Sequence, residues 1–228
     1  VQRPASVVKE LLENAVDAGA TQVQLIVKEA GKQLVQVVDN GGGMSPTDAR
    51  MSLERHATSK IRSTEDLFRI RTLGFRGEAL AAINSIVDMS LISRSGDAEA
   101  DASAGGHAWQ LDGRTGEIQP AARSRGTSVE VRELFYATPA RRKFLKTDAT
   151  ELSHCVEAVR RHALVRPDVG FAIWHEGKLI EQWRACTEAL QADDRVAALD
   201  QRLADVLGAE FVAQSIAVNY ESSARRLD

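Results

Sequence analysis

The sequence predicts an α+β fold, a two-layer sandwich in which a mixed, mostly antiparallel sheet lies under helices. Three observations predict it. An amphipathic helix opens the chain, with Val7, Val8, Leu11, Leu12 and Ala15 recurring at helical spacing after Pro4. Strand-like alternation follows at once in TQVQLIVKE (21–29) and LVQVVD (34–39), and returns in GFAIWHEGKLIEQWRA (170–185), a hairpin turning at Glu176-Gly177. Helices and strands then mix without the strict alternation that builds a parallel sheet.

The elements follow in order. Pro4 suits a first helical turn and Gly19 a stop, so the first helix runs from about Pro4 to Ala18. A turn at Ala30–Lys32 joins the first two strands. Ser45-Pro46-Thr47-Asp48 is a capping box with proline at the first helical position, so a helix starts there. A short helix follows Ser63, then a Gly-rich break at 74–77 and a helix through about Ile86. Strands are expected at 87–94, 107–112 and 127–133, a polar solvent loop at 95–106, and helices at 139–146 and 149–165. These make one domain, 1–185. Beyond it a helix (194–207) and a strand (211–218) read as the beginning of an incomplete second α/β domain, 186–228.

Composition narrows the function. With 43% hydrophobic and 27% charged residues, the 228-residue chain is ordinary globular material rather than disordered or fibrous. No apolar run reaches membrane-spanning length, and no signal peptide precedes the first motif. Cys155 and Cys186 form neither a metal spacing nor a disulfide framework, which makes the cytoplasm the expected compartment. The chain starts without methionine at the beginning of a helix and reads as a fragment.

A net charge of −3 announces no partner, but its distribution is uneven. Residues 121–166 hold ten Lys or Arg against five Asp or Glu. Arg141, Arg142, Lys143 and Lys146 lie in PARRKFLK, and Arg160 and Arg161 in VRRHALVRP. Either stretch alone fits a solvated helix face. Together they favour a polyanion surface that contacts phosphates rather than bases.

Four stretches carry chemistry. In KELLENAVDAGAT, Glu10, Asn14 and Asp17 fall together opposite the apolar arc. A solvated face satisfies the same pattern, yet asparagine is a poor choice for one. Two acids and an amide can instead hold a hydrated cation and a water. In VVDNGGGMS, Asn40-Gly41 is a hairpin signal, but the helix launched at Ser45 leaves no room for a returning strand. A carboxylate ending a strand before three glycines suits a ligand that approaches backbone, and Asp39 can accept from an exocyclic amine such as that of adenine. In LGFRGEAL, Gly74 and Gly77 bracket Phe75-Arg76 ahead of a helix, a phosphate cradle or an ordinary turn, with Lys60 of HATSKI and Arg76 supplying positive charge. Neither the P-loop nor the dinucleotide fingerprint is present.

These motifs, with RGTSVEV (125–131), resemble the four motifs of the GHKL ATPases, a superfamily of gyrase-type topoisomerases, Hsp90 chaperones, histidine kinases and MutL mismatch-repair proteins. The wording between them, RPASVVKELLENAVDAGAT, RHATSKI, LGFRGEALAAI and LFYATPARRKFLK, resembles the MutL family, firmly over residues 1 to about 185. The resemblance implies a Bergerat-type ATP-binding fold and a Mg²⁺-dependent ATPase. It implies Glu10 as general base, Asn14 as Mg²⁺ ligand, Asp17 as a brace for water and Asp39 as the adenine acceptor. Gly41, Gly43, Met44, Thr58, Lys60, Gly74, Phe75, Arg76, Gly77, Glu78 and Ala79 complete the ATP-binding set, 74–79 as a lid, with Thr127 behind the base.

The resemblance further implies ATP-driven closure into a homodimeric clamp on DNA. Its implied partners are a mismatch-recognition protein of the MutS type and a strand-discrimination nuclease or helicase, in a bacterial, nucleoid-associated setting without membrane. The family's N-terminal arm, second-domain lysine and C-terminal dimerisation domain have no counterpart in the residues present. Two other readings stay open from sequence: another GHKL enzyme, a topoisomerase subunit or histidine kinase, and a non-catalytic scaffold switched by ATP.

Overall fold

In the computed structural model of the chain, residues 3–53, 79–85, 87–98, 102, 105–136, 139–186 and 192–216 are described. Among them eight strands form one sheet in the order β5-β4-β3-β6-β2-β1-β7-β8. They are β1 (Gln22–Lys28), β2 (Leu34–Asp39), β3 (Asp88–Arg94), β4 (Ala108–Asp112), β5 (Ile118–Ala121), β6 (Gly126–Arg132), β7 (Gly170–His175) and β8 (Lys178–Trp183). Only the β1–β7 pair is parallel, so the mixed, mostly antiparallel sheet of the α+β class is present.

Two long helices cover it. Helix α1 (Pro4–Asp17) begins with proline at its start and buries Val7, Val8, Leu11, Leu12, Ala15 and Val16. Against it packs α5 (Asp148–Val165), which Thr147 caps by accepting from the Thr150 amide and which buries Cys155, Val159 and Ala163. Period-two alternation supplies the other half of the core: Val23, Leu25 and Val27 of β1 are buried, whereas Gln22, Gln24 and Lys28 are exposed. Filling each such buried position contributes roughly 1.5–3 kcal/mol relative to exposure.

The shorter elements follow their local chemistry. Helix α2 (Pro46–Ser52) starts where the capping box requires, with the Ser45 hydroxyl accepting from the Asp48 amide at 3.1 Å. Helix α3 (Ala79–Asn84) precedes β3. The β7–β8 hairpin turns at Glu176 and Gly177, both at positive φ (+49° and +76°), as a tight two-residue turn needs.

Three expectations change. Strand β5 was not foreseen. The helix expected at 139–146 is only α4 (Pro139–Arg142), because the chain must break for the Lys146 amide to reach Glu151 Oε1 at 3.0 Å before Thr147 caps α5. Helix α6 (Ala192–Leu207) is as expected, but 211–213, where a strand over 211–218 was expected to start, fall in the helix α7 (Ala209–Ala213). Its backbone closes on itself, Gln214 N–H to Glu210 O and Ser215 N–H to Val212 O, where no neighbouring strand among the described residues offers a ladder.

Helix α6 is docked through Arg202, fully buried, which donates to the carbonyls of Ala163, Arg166, Pro167, Val169 and Arg184. A guanidinium suits this place because its donors fan out in one plane and α5 presents the negative end of its dipole there. Among the described residues no helix is long and apolar enough to cross a membrane.

Candidate functional site: a nucleotide-binding row across the sheet

The site grows from the end of β2. Asp39 is opposite Thr127 on β6, Thr127 is opposite Ser93 on β3, and Ser93 is opposite Trp109 on β4. Directly opposed residues share one face of the sheet, so these four side chains form a row across four strands. All four are buried.

Asp39 Oδ1 accepts from the Gly41 amide at 2.8 Å and from the Thr127 amide at 3.3 Å; among the described residues no hydrogen bond reaches Oδ2. Burial pushes the carboxyl above its usual range, while the two amides and the nearby Arg123 charge pull it partly back. The result is a buried acceptor with one oxygen committed to the protein and one available to a ligand donor.

The following loop bends away from a hairpin for a visible reason. Asn40 Oδ1 accepts from the amides of Thr21 and Gln22, both at 2.9 Å, and its Nδ2 donates to Thr21 Oγ1 at 2.8 Å. The loop is thus clipped to β1 instead of folding back. Gly42 N–H donates to the Ala18 carbonyl at 2.8 Å, which brings the C-terminal end of α1 against the loop. Gly43, at φ +69°, lies so close to β3 that a Cβ there would stand 2.0 Å from the Arg94 carbonyl oxygen. Met44 closes the loop: its N–H donates to Ser93 Oγ at 2.9 Å and its carbonyl accepts from Trp109 Nε1 at 3.1 Å.

On α1, Glu10, Asn14 and Asp17 are each half-buried, one stripe that runs to the contact between Ala18 and the loop. The Lys9 ammonium pairs with Glu13 at 2.8 Å rather than with Glu10. At the lower end of the stripe, Asp17 lies close enough to Arg166 to reinforce its charge, and Arg166 is held in a fork by Asp168 at 2.8 and 2.6 Å.

The structure therefore brings together the α1 end, Asp39, Gly41, Gly43, Met44 and Thr127. Ala79 begins α3. Thr58, Lys60, Gly74, Phe75, Arg76, Gly77 and Glu78 lie outside the described residues. Sequence reasoning missed Asn40, Ser93 and Trp109, and it counted Arg123 and Arg125 as surface charge. Both arginines brace the loop, Arg123 half-buried and Arg125 exposed: Arg123 Nη2 donates to the Asp39 carbonyl at 2.7 Å and Arg125 Nε to the Gly41 carbonyl at 3.1 Å. The place of Arg123 just before RGTSVEV, and of Arg125 as its first residue, was the available signal.

The remaining basic residues divide into two groups. Arg142, Lys143 and Lys146 are exposed, and Arg141 lies in α4 beside them. Arg160 pairs with Glu181 at 2.8 Å and Arg161 with Glu157 at 3.2 Å.

A buried acceptor beside a glycine loop, under a helix with a polar stripe, is an arrangement that can take a nucleotide without a P-loop. The family model for the histidine kinase-, DNA gyrase B-, and HSP90-like ATPases matches residues 2–114, and the chain belongs to this ATPase class. Within the class it is of the MutL type: it is 52% identical to the DNA mismatch repair protein MutL of Ralstonia nicotianae over 92% of this chain and 30% of that protein. To MutL of Pseudomonas entomophila it is 47% identical over 100% of this chain and 34% of that protein. The chain thus spans about a third of the length of these curated relatives. Among solved structures, the Aquifex aeolicus MutL ATPase domain complexed with ADP superposes with a TM-score of 0.65 at 28% identity, covering 91% of this chain and 69% of that one. The N-terminal domain of a DNA repair protein superposes with a TM-score of 0.69 at 26% identity, covering 92% of this chain and 58% of that one. The fold and the nucleotide-binding class agree with the sequence reading.

Proposed function

We propose that the chain is the ATP-binding and hydrolysing part of a DNA mismatch repair protein, and that ATP closes two N-terminal domains of the full-length protein into a clamp on DNA. The observation that carries the reading is Asp39: a buried carboxylate held by two amides through one oxygen, at the mouth of a loop pinned to α1 and β3.

The protein's own groups divide the work. Asp39 Oδ2 accepts the adenine amino group, and Thr127 stands behind the base. The glycines of the loop let the ligand reach backbone that a Cβ would obstruct. Glu10 takes a proton from the attacking water, and Asp17 braces that water's surroundings. The donor set fits Mg²⁺, since a single amide oxygen from Asn14 suits an ion that keeps waters and phosphates for most of its ligands. When bound, Mg²⁺ supplies neutralisation of the phosphate charge. Lys60 and the segment Gly74–Ala79 are assigned to the phosphates and their lid by resemblance. Little covalent chemistry is asked of the side chains, because phosphoryl transfer is mostly positioning and charge stabilisation.

DNA is assigned to the exposed cations Arg142, Lys143 and Lys146, with Arg141 beside them in sequence, through phosphate contacts without base reading. A MutS-type mismatch-recognition protein and a strand-discrimination nuclease or helicase are the partners this role implies, in the bacterial nucleoid. Residues 1–185 are taken as the ATPase unit and 186–228 as the beginning of a second one. Single-turnover hydrolysis by the full-length protein tests the enzymatic reading: release of ADP and phosphate supports it, and nucleotide binding without turnover would leave ATP as a conformational ligand only.

A further inference from the structure

Ser93 links the Met44 loop to Gly126 and Thr127 of β6, yet no motif of the sequence includes it. It is fully buried on β3, between Thr127 and Trp109 in register. Its Oγ accepts from the Met44 amide at 2.9 Å, is placed to donate to the Gly126 carbonyl at 3.1 Å, and lies 2.9 Å from Thr127 Oγ1, where either hydroxyl can donate.

A serine hydroxyl has one proton and two lone pairs. The Met44 amide occupies one lone pair. If the proton goes to Gly126, Thr127 must donate inward to fill the second lone pair, and it then meets a ligand as an acceptor. If the proton goes to Thr127, the Thr127 proton is left to point outward as a donor. The Thr127 amide meanwhile holds Asp39 Oδ1, so the two side chains stand side by side and are placed to meet adjacent positions of one base edge. A base that offers an amino group to Asp39 carries a ring acceptor beside it if it is adenine, and guanine presents the reverse pair, an oxygen acceptor beside a ring N–H. Asp39 can only accept, so the complementary neighbour is a donor.

We propose that Ser93 is a specificity-positioning residue. By giving its proton to Thr127 Oγ1 it keeps the Thr127 hydroxyl turned outward as a donor, and by accepting from Met44 it sets the loop edge against which the base lies. This deepens the nucleotide-binding reading and rests on it. Ser93 acts through Thr127 and Met44 and touches no ligand itself.

The test is titration of ATP and GTP against wild type, Ser93→Ala, Ser93→Thr, Thr127→Val and the Ser93→Ala/Thr127→Val pair. Wild type should prefer ATP. Ser93→Ala should lose about threefold to tenfold in ATP affinity, the worth of one hydrogen bond, with GTP affinity little changed. Ser93→Thr keeps the hydroxyl and should restore the ATP-to-GTP ratio. Thr127→Val should narrow the ratio as Ser93→Ala does, and the pair should narrow it no further. Should Ser93→Ala not fold, Ser93→Cys, of similar shape with a weak donor, replaces it. An unchanged ratio in the folded variant, or equal losses for both nucleotides, overturns the role of Ser93. A wild type without preference overturns the adenine reading itself, and Asp39→Asn losing the preference while Ser93→Ala keeps it sinks only the inference.

Discussion

The backbone amide of Thr127 donates to Asp39 Oδ1 across the β2–β6 ladder, so one strand pair holds both the base acceptor and the residue behind it. The relationship makes the acceptor's orientation a property of sheet register rather than of a mobile loop. A one-residue slip would turn Asp39 to the opposite face.

Base choice follows from that orientation. Asp39→Asn keeps an oxygen for the Gly41 and Thr127 amides but turns an NH₂ towards the adenine amine, donor against donor. Titration should register a loss of about 1–3 kcal/mol of ATP binding and a collapse of the preference over GTP. Equal affinity of the unmodified protein for both nucleotides would contradict the assignment.

The same carboxylate should weaken the nucleotide-free fold. Burial raises its pKa above the ordinary 3.8, so the folded chain holds this proton more readily than the unfolded one. Its contribution to stability is full below 3.8 and is lost as pH rises through the raised value. Asp39→Asn cannot ionise, and its melting temperature should exceed that of wild type at pH 7. The gap should shrink as pH falls towards 3.8. A gap that widens on acidification contradicts this.

Arg202 is the stabilising counterpart. Its replacement by leucine leaves five carbonyls from the α5 end, the following turn and the β8 end without their shared donor, a loss of about 3–5 kcal/mol by urea unfolding. Arg202→Lys should recover little, because a point charge cannot reach so many directions. A Leu variant as stable as wild type would mean that α6 is held by other contacts.

Much of this was legible in sequence, and the failures have physical causes. The α1 stripe, the Ser45 cap and the Glu176-Gly177 turn follow from local periodicity and turn chemistry, which a sequence displays directly. Strand β5 reads Ile-Gln-Pro-Ala, four residues at the sheet edge with a proline and no alternation, and only its pairing with β4 defines it. Phe211 and Val212 gave a strand-like pattern, but a strand requires a partner and a helical turn does not. The Arg202 cage and the Ser93 crossing are invisible locally: the acceptors of Arg202 lie 18 to 39 positions away, and Thr127 is 34 from Ser93. The charge count from 121 to 166 misled where Arg123, half-buried, and Arg125, exposed, both spend donors on loop carbonyls, since composition does not reveal direction.

Phosphate contacts should be unequal along the basic surface. Arg142→Ala with Lys143→Ala should reduce the slope of log K against log salt by about 1.8 on any DNA sequence, since each contact contributes about 0.9. Arg160→Ala should change it little, because that guanidinium already pairs with Glu181. A flat response in the double variant would move the DNA surface elsewhere.

The central claim, that the Glu10–Asn14–Asp17 stripe is a catalytic face, is tested most directly by comparing Glu10→Ala and Asn14→Ala in the full-length protein for nucleotide affinity and turnover. A general base contributes about 10²–10⁴-fold in rate and little to ground-state affinity. A metal ligand anchors the bound ground state. Glu10→Ala should therefore bind ATP about as well as wild type, fail to hydrolyse it and accumulate the closed dimer, whereas Asn14→Ala should lose Mg·ATP binding itself. Near-wild-type turnover by Glu10→Ala would contradict the account and return the stripe to a solvated helix face.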